Sequence, residues 1–270
     1  MTRHSTPAID LTDTHVVITG GSRGIGRALA DCLAVRGARL SLIGRDKETL
    51  DRAAADTGAL PIVADLADMS DVERILPAAR AANGPVTVLV NNAAVNIPGP
   101  LATCGRANLR DRLTTNLLAP LELTRDALQD MLAHKRGSIV NISSLIGDMA
   151  VRNVIPYAAS KSALGLATRA LRRELKGTGV TAQLVVFGAV DTQMYNEDTF
   201  IDPIAGQSAA RLGKISPQSP VSAAHAITKF LGTGKEVLVV PRVVHPVHGL
   251  RFLPTRLADL LLIGIPRSVP

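Results

Sequence analysis

The stretch "HVVITGGSRGIGRALADCLAVRG", residues 15–37, changes character twice within its length. His15–Thr19 is a short apolar run rich in β-branched residues, which reads as a strand buried on both faces. Gly20, Gly21, Gly24 and Gly26 follow, and then Ala and Leu recur at helical spacing. The order is strand, glycine turn, helix. Glycines at such a junction let the backbone turn sharply and approach a pyrophosphate, which the N-terminus of the following helix then favours. The spacing here is G-x-x-x-G-x-G rather than the commoner G-x-G-x-x-G, and any tight strand–helix junction can use glycine. The strand before and the helix after are what turn the loop into a nucleotide-site prediction.

Working outward, apolar β-branched runs recur at 38–43, 60–64, 86–90, 137–143, 181–187 and 236–240. Between them lie Ala- and Leu-rich segments with charges at helical spacing, at 24–36, 69–82 and 109–134. Strands alternating with helices imply βαβ units, and so an α/β fold on a parallel sheet. Neither a repeat nor a linker interrupts 10–240. The expected organisation is one catalytic domain over 1–240, followed by a C-terminal extension at 241–270.

Composition narrows the function. Aromatics are scarce and Trp is absent, so the core must be aliphatic and little is available to stack on nucleic-acid bases. Cys32 and Cys104 make no disulfide framework. The opening "MTRHSTPAIDLTDTH" lacks a signal-peptide core, and no apolar run reaches membrane-spanning length. A cytoplasmic protein is expected. The net charge of +7 is uneven: residues 211–270 hold eight Lys/Arg against Glu236 and Asp259, hence +6 of the total. A solvated basic face is the default reading, with nucleic acid, an anionic membrane surface or an acidic ligand as alternatives.

Two further stretches carry chemistry. In "SLIGRDKETL" the position at the tip of the second strand, where an acid would hold a ribose hydroxyl, is Gly44. Asp46 lies past the strand and is expected to cap the next helix. With no carboxylate to repel a 2′-phosphate, Arg45 and Arg23 point to NADP(H) over NAD(H); as plain letters both would be solvated surface residues. In "YAASK", Tyr157 and Lys161 share one face of a helix, a turn apart. An ammonium held beside a phenol favours the phenolate, as a tyrosine acid or base near neutral pH requires. On those five residues alone an ordinary helix start is the favoured reading.

"TGGSRGIG" at 19–26, "NNAA" at 91–94, "NISS" at 141–144 and "YAASK" at 157–161, with "NLLAPLELT" at 116–124, occur together in order. With these motifs the chain resembles the classical short-chain dehydrogenases/reductases over about residues 12–240. The resemblance implies a Rossmann-type, doubly wound parallel seven-stranded sheet with helices on both faces, a nicotinamide cofactor and a Ser-Tyr-Lys site joined by an Asn. It makes Tyr157 the proton donor or acceptor at the substrate oxygen. Lys161 becomes the holder of the nicotinamide ribose, and Ser144, rather than Ser143, the donor to the substrate oxygen. Asn116 would hold a water in a relay to Lys161. For the cofactor it implies Gly20, Ser22, Arg23, Gly24, Ile25 and Gly26 in the loop, with Arg45 beyond it. Asp65 and Leu66 belong beside the adenine, Asn92 and Ala93 after the fourth strand, and Val190 and Thr192 near the carboxamide, while Asn91 begins the turn that supports the central strand. Two positions depart from the family pattern: Ala94 stands where glycine is usual, and Phe187 where proline is.

Residues 193–220 are expected to form a substrate lid, with Tyr195, Phe200 and Ile201 toward the pocket. In the extension, Leu250, Leu253, Leu257, Leu260 and Leu261 recur at helical spacing around Pro254. A subunit contact, a membrane-surface contact or a guard over an apolar substrate would each produce that pattern. His245 and His248 lack companion ligands, so no metal is expected. The sequence thus favours an NADP-dependent oxidoreductase acting on a fairly apolar ketone or secondary alcohol, as a homodimer or homotetramer. The alternatives are an NADP(H)-binding regulatory or sensor protein without turnover, and a nucleic-acid binder suggested by the basic tail alone.

Overall fold

Apolar runs of four to eight residues, bounded by turns, make the strands of a single sheet in the computed structural model, which describes residues 10–149, 151–196, 217–231, 233–242 and 248. They are β1 (His15–Thr19), β2 (Arg39–Gly44), β3 (Leu60–Val63), β4 (Val88–Asn91), β5 (Gly137–Ser144), β6 (Val180–Phe187) and β7 (Val237–Val240). Their order is β3-β2-β1-β4-β5-β6-β7, and every pairing is parallel. The chain runs outward from β1 to β3, then returns to place β4 on the other side of β1. That reversal opens a crevice beyond the C-terminal ends of β1 and β4, where ligands of open α/β sheets bind.

The central strands β1 and β4 are buried throughout, whereas β3 at the edge is only partly so. Pro61 sits on that edge strand, where its missing N–H leaves no interior ladder bond unmade. Side chains alternate across the sheet. Val16, Ile18, Val88 and Val90 join a core with helices α1 (Gly24–Ala34), α2 (Lys47–Thr57) and α7 (Pro220–Phe230). Val17, Leu89 and Ile139 face the opposite core, formed with α3 (Met69–Asn83) and α5 (Ala119–Ala133). The period of two divides one sequence between two aliphatic cores. The fold is the doubly wound, Rossmann-type sheet expected.

Asp46 caps α2 as read from the sequence: its carboxylate accepts from the Thr49 N–H at 2.9 Å, and that cap is worth about 1 kcal/mol. The helix expected over 109–134 differs in one respect. It consists of α4 (Arg106–Leu113), a π-helical turn at Thr114–Leu118, and α5. Pro120 has no N–H to offer the carbonyl of Asn116, which loosens the ladder there. Ser144 leads into a 3-10 turn at Leu145–Asp148, and α6 runs from Ile155 to Glu174.

Of the segment 193–220, Gln218 is tied to the residues just before that segment, Asp191 N–H donating to Gln218 O at 2.8 Å and Gln218 N–H to Ala189 O at 3.0 Å. Phe200 and Ile201 lie outside the described residues, as do His245 and the leucines of the extension. No helix among the described residues is long and apolar enough to cross a membrane.

Candidate active site

The chain leaves β1 and enters the glycine loop. Gly24, at φ +57°, starts α1 in a backbone conformation that side chains disfavour. At Gly26 the constraint is space, since a Cβ there would lie 2.2 Å from the carbonyl oxygen of Gly20. Thr19 Oγ1 accepts from the N–H groups of Asn92 and Ala93, both at 3.0 Å, while Asn92 Nδ2 donates back to Thr19 O at 2.9 Å. The loop is therefore fastened to the end of β4. Arg23 occupies the N-cap position of α1 without a side-chain cap, and the first turn carries no acid. Uncapped backbone N–H groups, a glycine cradle that a Cβ would fill and the positive end of an eleven-residue helix suit a pyrophosphate. The residues present fit a dinucleotide.

At the ribose end, Gly44 is buried at the tip of β2, and Asp46, which borders the cavity, has its carboxylate engaged in the cap of α2. Hydrogen bonds from Thr49 hold that carboxylate below the usual range. Arg45 is exposed, with Nη1 3.9 Å from Asp65 Oδ2. Arg23 donates to Gln193 Oε1 at 2.8 Å, which ties the glycine loop to the start of the segment after β6.

Beyond the loop, β5 and α6 supply the rest. Pro156 opens the first turn of α6, where a missing N–H costs nothing. Tyr157 and Lys161 project from successive turns, with Lys161 Nζ 5.8 Å from the centre of the Tyr157 ring. Lys161 is 2% exposed and donates to the Ile142 carbonyl at 2.8 Å. Burial without a carboxylate pushes its pKa down to about 8. The neighbouring serines divide their roles. Ser143 Oγ donates to the Lys161 carbonyl at 3.2 Å, whereas half-buried Ser144 accepts from Ile146 N–H at 3.2 Å beside the cavity. Asn116, fully buried, accepts from Val95 N–H at 2.8 Å and donates to Val95 O at 2.9 Å and Ser160 Oγ at 3.2 Å. Ser160 in turn donates to the Tyr157 carbonyl at 2.7 Å. Asn116 thus straps the segment after β4 to the first turn of α6.

These groups surround one cavity of about 760 Å³. Of the described residues assigned to the site from sequence, only Gly26, Asn91 and Asn116 stand behind its wall. Asn91 Nδ2 donates to Asn141 Oδ1 at 2.8 Å, fixing β4 against β5. The two departures are accommodated. Ala94 has no positive φ, so its Cβ brings no strain. Phe187 is 3% exposed, packs in the α1 core and reaches the cavity wall. Sequence reasoning missed Thr19 and Ser160. Ser160, a small polar residue beside Lys161 and one turn from Tyr157, was the more findable of the two. Among the described residues no group of three His, Cys, Asp or Glu is placed to hold a metal.

The low Lys161 pKa has a consequence for stability. Between about 8 and the ordinary 10.5 the unfolded chain binds the proton that the folded chain has lost, so stability rises with pH through that window. Below it both states carry the ammonium, and its burial weakens the fold. Urea unfolding of the protein and of Lys161→Met should show the native chain gaining on the variant from pH 8 to 10. A flat or falling difference would contradict the assignment.

A glycine cradle at the switch point of a doubly wound sheet, with a Tyr-Lys helix on the same cavity, is the architecture of a dinucleotide-dependent oxidoreductase. The model of the family described as short chain dehydrogenase matches residues 14–199. The chain belongs to the short-chain dehydrogenase/reductase family, whose members use a nicotinamide cofactor. Among its relatives is the ketoacyl reductase HetN of Nostoc, 37% identical over 82% of this chain and 76% of that protein. The human 3-oxoacyl-[acyl-carrier-protein] reductase is 35% identical over 67% and 78%, respectively. Levodione reductase superimposes with a TM-score of 0.77 at 27% identity, covering 85% of this chain and 96% of that one. A short-chain dehydrogenase/reductase from Burkholderia phymatum, solved in complex with NAD, shares the fold at a TM-score of 0.82 and 20% identity over 97% and 99%.

Proposed function

We propose that this protein is a cytoplasmic NADP(H)-dependent reductase of fairly apolar ketones, running equally as an alcohol dehydrogenase, with 3-oxoacyl thioesters the first substrate class to test. The observation that carries the reading is that Tyr157, Lys161 and Ser144 face the same cavity as the uncapped N-terminus of α1. The bound nicotinamide supplies or accepts the hydride. Tyr157 gives its phenolic proton to the substrate oxygen in reduction and takes it back in oxidation. Lys161 favours the phenolate so formed and holds the ribose hydroxyls. Ser144 donates to the substrate oxygen as negative charge gathers there. Asn116 keeps the Tyr157 turn in place through Ser160 and, by resemblance, serves the water relay to Lys161.

Support for an apolar substrate comes from Leu145, Ile146, Met149 and Phe187 on the cavity wall beside Ser144. The relatives named ketoacyl reductases point to an acyl chain. Leu118 at the end of the π-helical turn, Leu121 on α5, and Ile155 and Leu166 on α6 are large exposed aliphatics that favour a homodimer or homotetramer. The preference for NADP(H) rests on Gly44, Arg45 and Arg23. Arg45→Asp should lower kcat/KM for NADPH on the order of tenfold to a hundredfold, through one lost charge-assisted phosphate contact, and spare NADH. Equal losses with both dinucleotides would remove Arg45 from the 2′-phosphate. The wider test is oxidation of NADPH against NADH with a ketone panel running from small ketones through 3-oxoacyl thioesters to steroid-sized compounds. Tight NADPH binding without turnover across that panel would favour the sensor reading.

A further inference from the structure

The turn that follows Ser144 is held from an unexpected direction. Leu145–Asp148 lies directly against α6: a Cβ on Gly147 would come within 2.9 Å of the Lys161 carbonyl carbon and 3.0 Å of its Cβ. The start of this turn is fixed by the Ile146 N–H donated to Ser144 Oγ. At its far end, Asp148 Oδ2 lies 2.6 Å from Nδ1 of His248, a residue a hundred positions later in the chain. The two side chains are only 14% and 10% exposed. A carboxylate can only accept, so Nδ1 of His248 carries the hydrogen. His248 lies well beyond the family match, which ends at residue 199.

We propose that His248 is a positioning residue for the reductase site. By holding Asp148 it fixes the 145–148 turn, and through that turn the Ser144 hydroxyl and the apolar wall of Leu145, Ile146 and Met149. The near part of the turn is held by the close fit of Gly147 on α6 and by Leu145 packed on Leu184, Val186 and Val239, while the far end, at Asp148, is held by His248. Without His248 the far end loses its buried partner and an unpaired carboxylate remains, which draws the turn toward water. Ser144 and the wall move with it, whereas the glycine loop and the ribose end, fastened through Thr19 and Asn92, do not. A small displacement of a donor aimed at a developing charge is expensive in rate. The role assigned to Ser144 is that of the proposed function, on which this inference rests.

The test compares full-length His248→Ala and His248→Asn, since the Asn amide places an N–H close to where Nδ1–H stands. Backbone amide exchange over 145–149 should quicken about tenfold in His248→Ala, the loss of one buried charge-assisted hydrogen bond, and return toward the native rate in His248→Asn. Ketone kcat/KM should fall about tenfold to a hundredfold in the Ala variant, with NADPH binding stoichiometry and affinity unchanged, and recover in the Asn variant. A general loss of folded protein would lower the stoichiometry, which this role leaves untouched. Unchanged exchange, unchanged kcat/KM, or an Asn variant as impaired as the Ala variant would overturn the proposal. A native protein that reduces no ketone with either dinucleotide would sink the reductase reading and His248's catalytic part with it; an active native protein confines any failure to His248.

Discussion

Tyr157→Phe should reduce ketone turnover by about 10²- to 10⁴-fold, the contribution of a positioned proton donor, while NADPH binds as before. The substitution removes one oxygen and keeps the ring, so the packing at the start of α6 and the proximity of Lys161 Nζ, 5.8 Å from the ring centre, survive. The backbone of Tyr157 is held independently of its phenol, by Ser160 Oγ donating to its carbonyl, and Asn116 donates to that serine. What disappears is the only proton the phenol could deliver into the cavity. Steady-state rates with the best ketone, beside a fluorescence titration of NADPH, separate the two effects. Retention of more than about a tenth of the native rate would mean that another group supplies the proton, and the assignment of Tyr157 would fall. Loss of NADPH binding as well would mean the variant had disturbed the site rather than the chemistry.

Gly26→Ala should damage the protein at the other end of the cavity and for a different reason. The added methyl would sit 2.2 Å from Gly20 O and 2.6 Å from Asn92 Nδ2. The first of these is backbone in the very loop that cradles the pyrophosphate, so relief comes only from moving that loop. Overpacking of this kind costs about 1–3 kcal/mol. It also displaces the cradle, so dinucleotide affinity should fall at least about tenfold in addition. Gly24→Ala is the instructive comparison. There the nearest neighbour, Thr192 Cγ2, is 3.4 Å away, so the methyl has room, and the penalty is the positive φ of 57°. That strain amounts to about 1–2 kcal/mol. Calorimetry and NADPH titration on both variants should find the larger binding defect at Gly26. Equal defects would mean that backbone strain, not space, limits the loop.

Much of this was legible because it is local. Strands of period two and helices of period 3.6 state their type within ten residues, and the seven runs read from sequence reappear as β1–β7 with ends shifted by a residue or two. Asp46 could be recognised as a cap because a cap acts on residues three positions ahead. The π-helical turn at Thr114–Leu118 went unseen, although Pro120 stood in plain view. A proline inside a helical pattern signals a break in the ladder, but the form of the break depends on what Asn116 finds to bond, and its partners lie at Val95 and Ser160.

What the amino-acid sequence determined by itself was the α/β class, the glycine loop, the Tyr157–Lys161 spacing and the absence of an acid at the tip of β2, each a matter of neighbours along the chain. Tertiary structure alone decided that the Ser143 hydroxyl is taken up by the Lys161 carbonyl, and that Lys161 is buried deeply enough for its pKa to drop to about 8. It also decided that Thr19 fastens the glycine loop to β4, and that Asp148 meets His248. Those facts depend on desolvation and on hydrogen bonds between residues 18 to 100 positions apart. No period in a sequence encodes such meetings; they exist only once the sheet has brought its strand ends together.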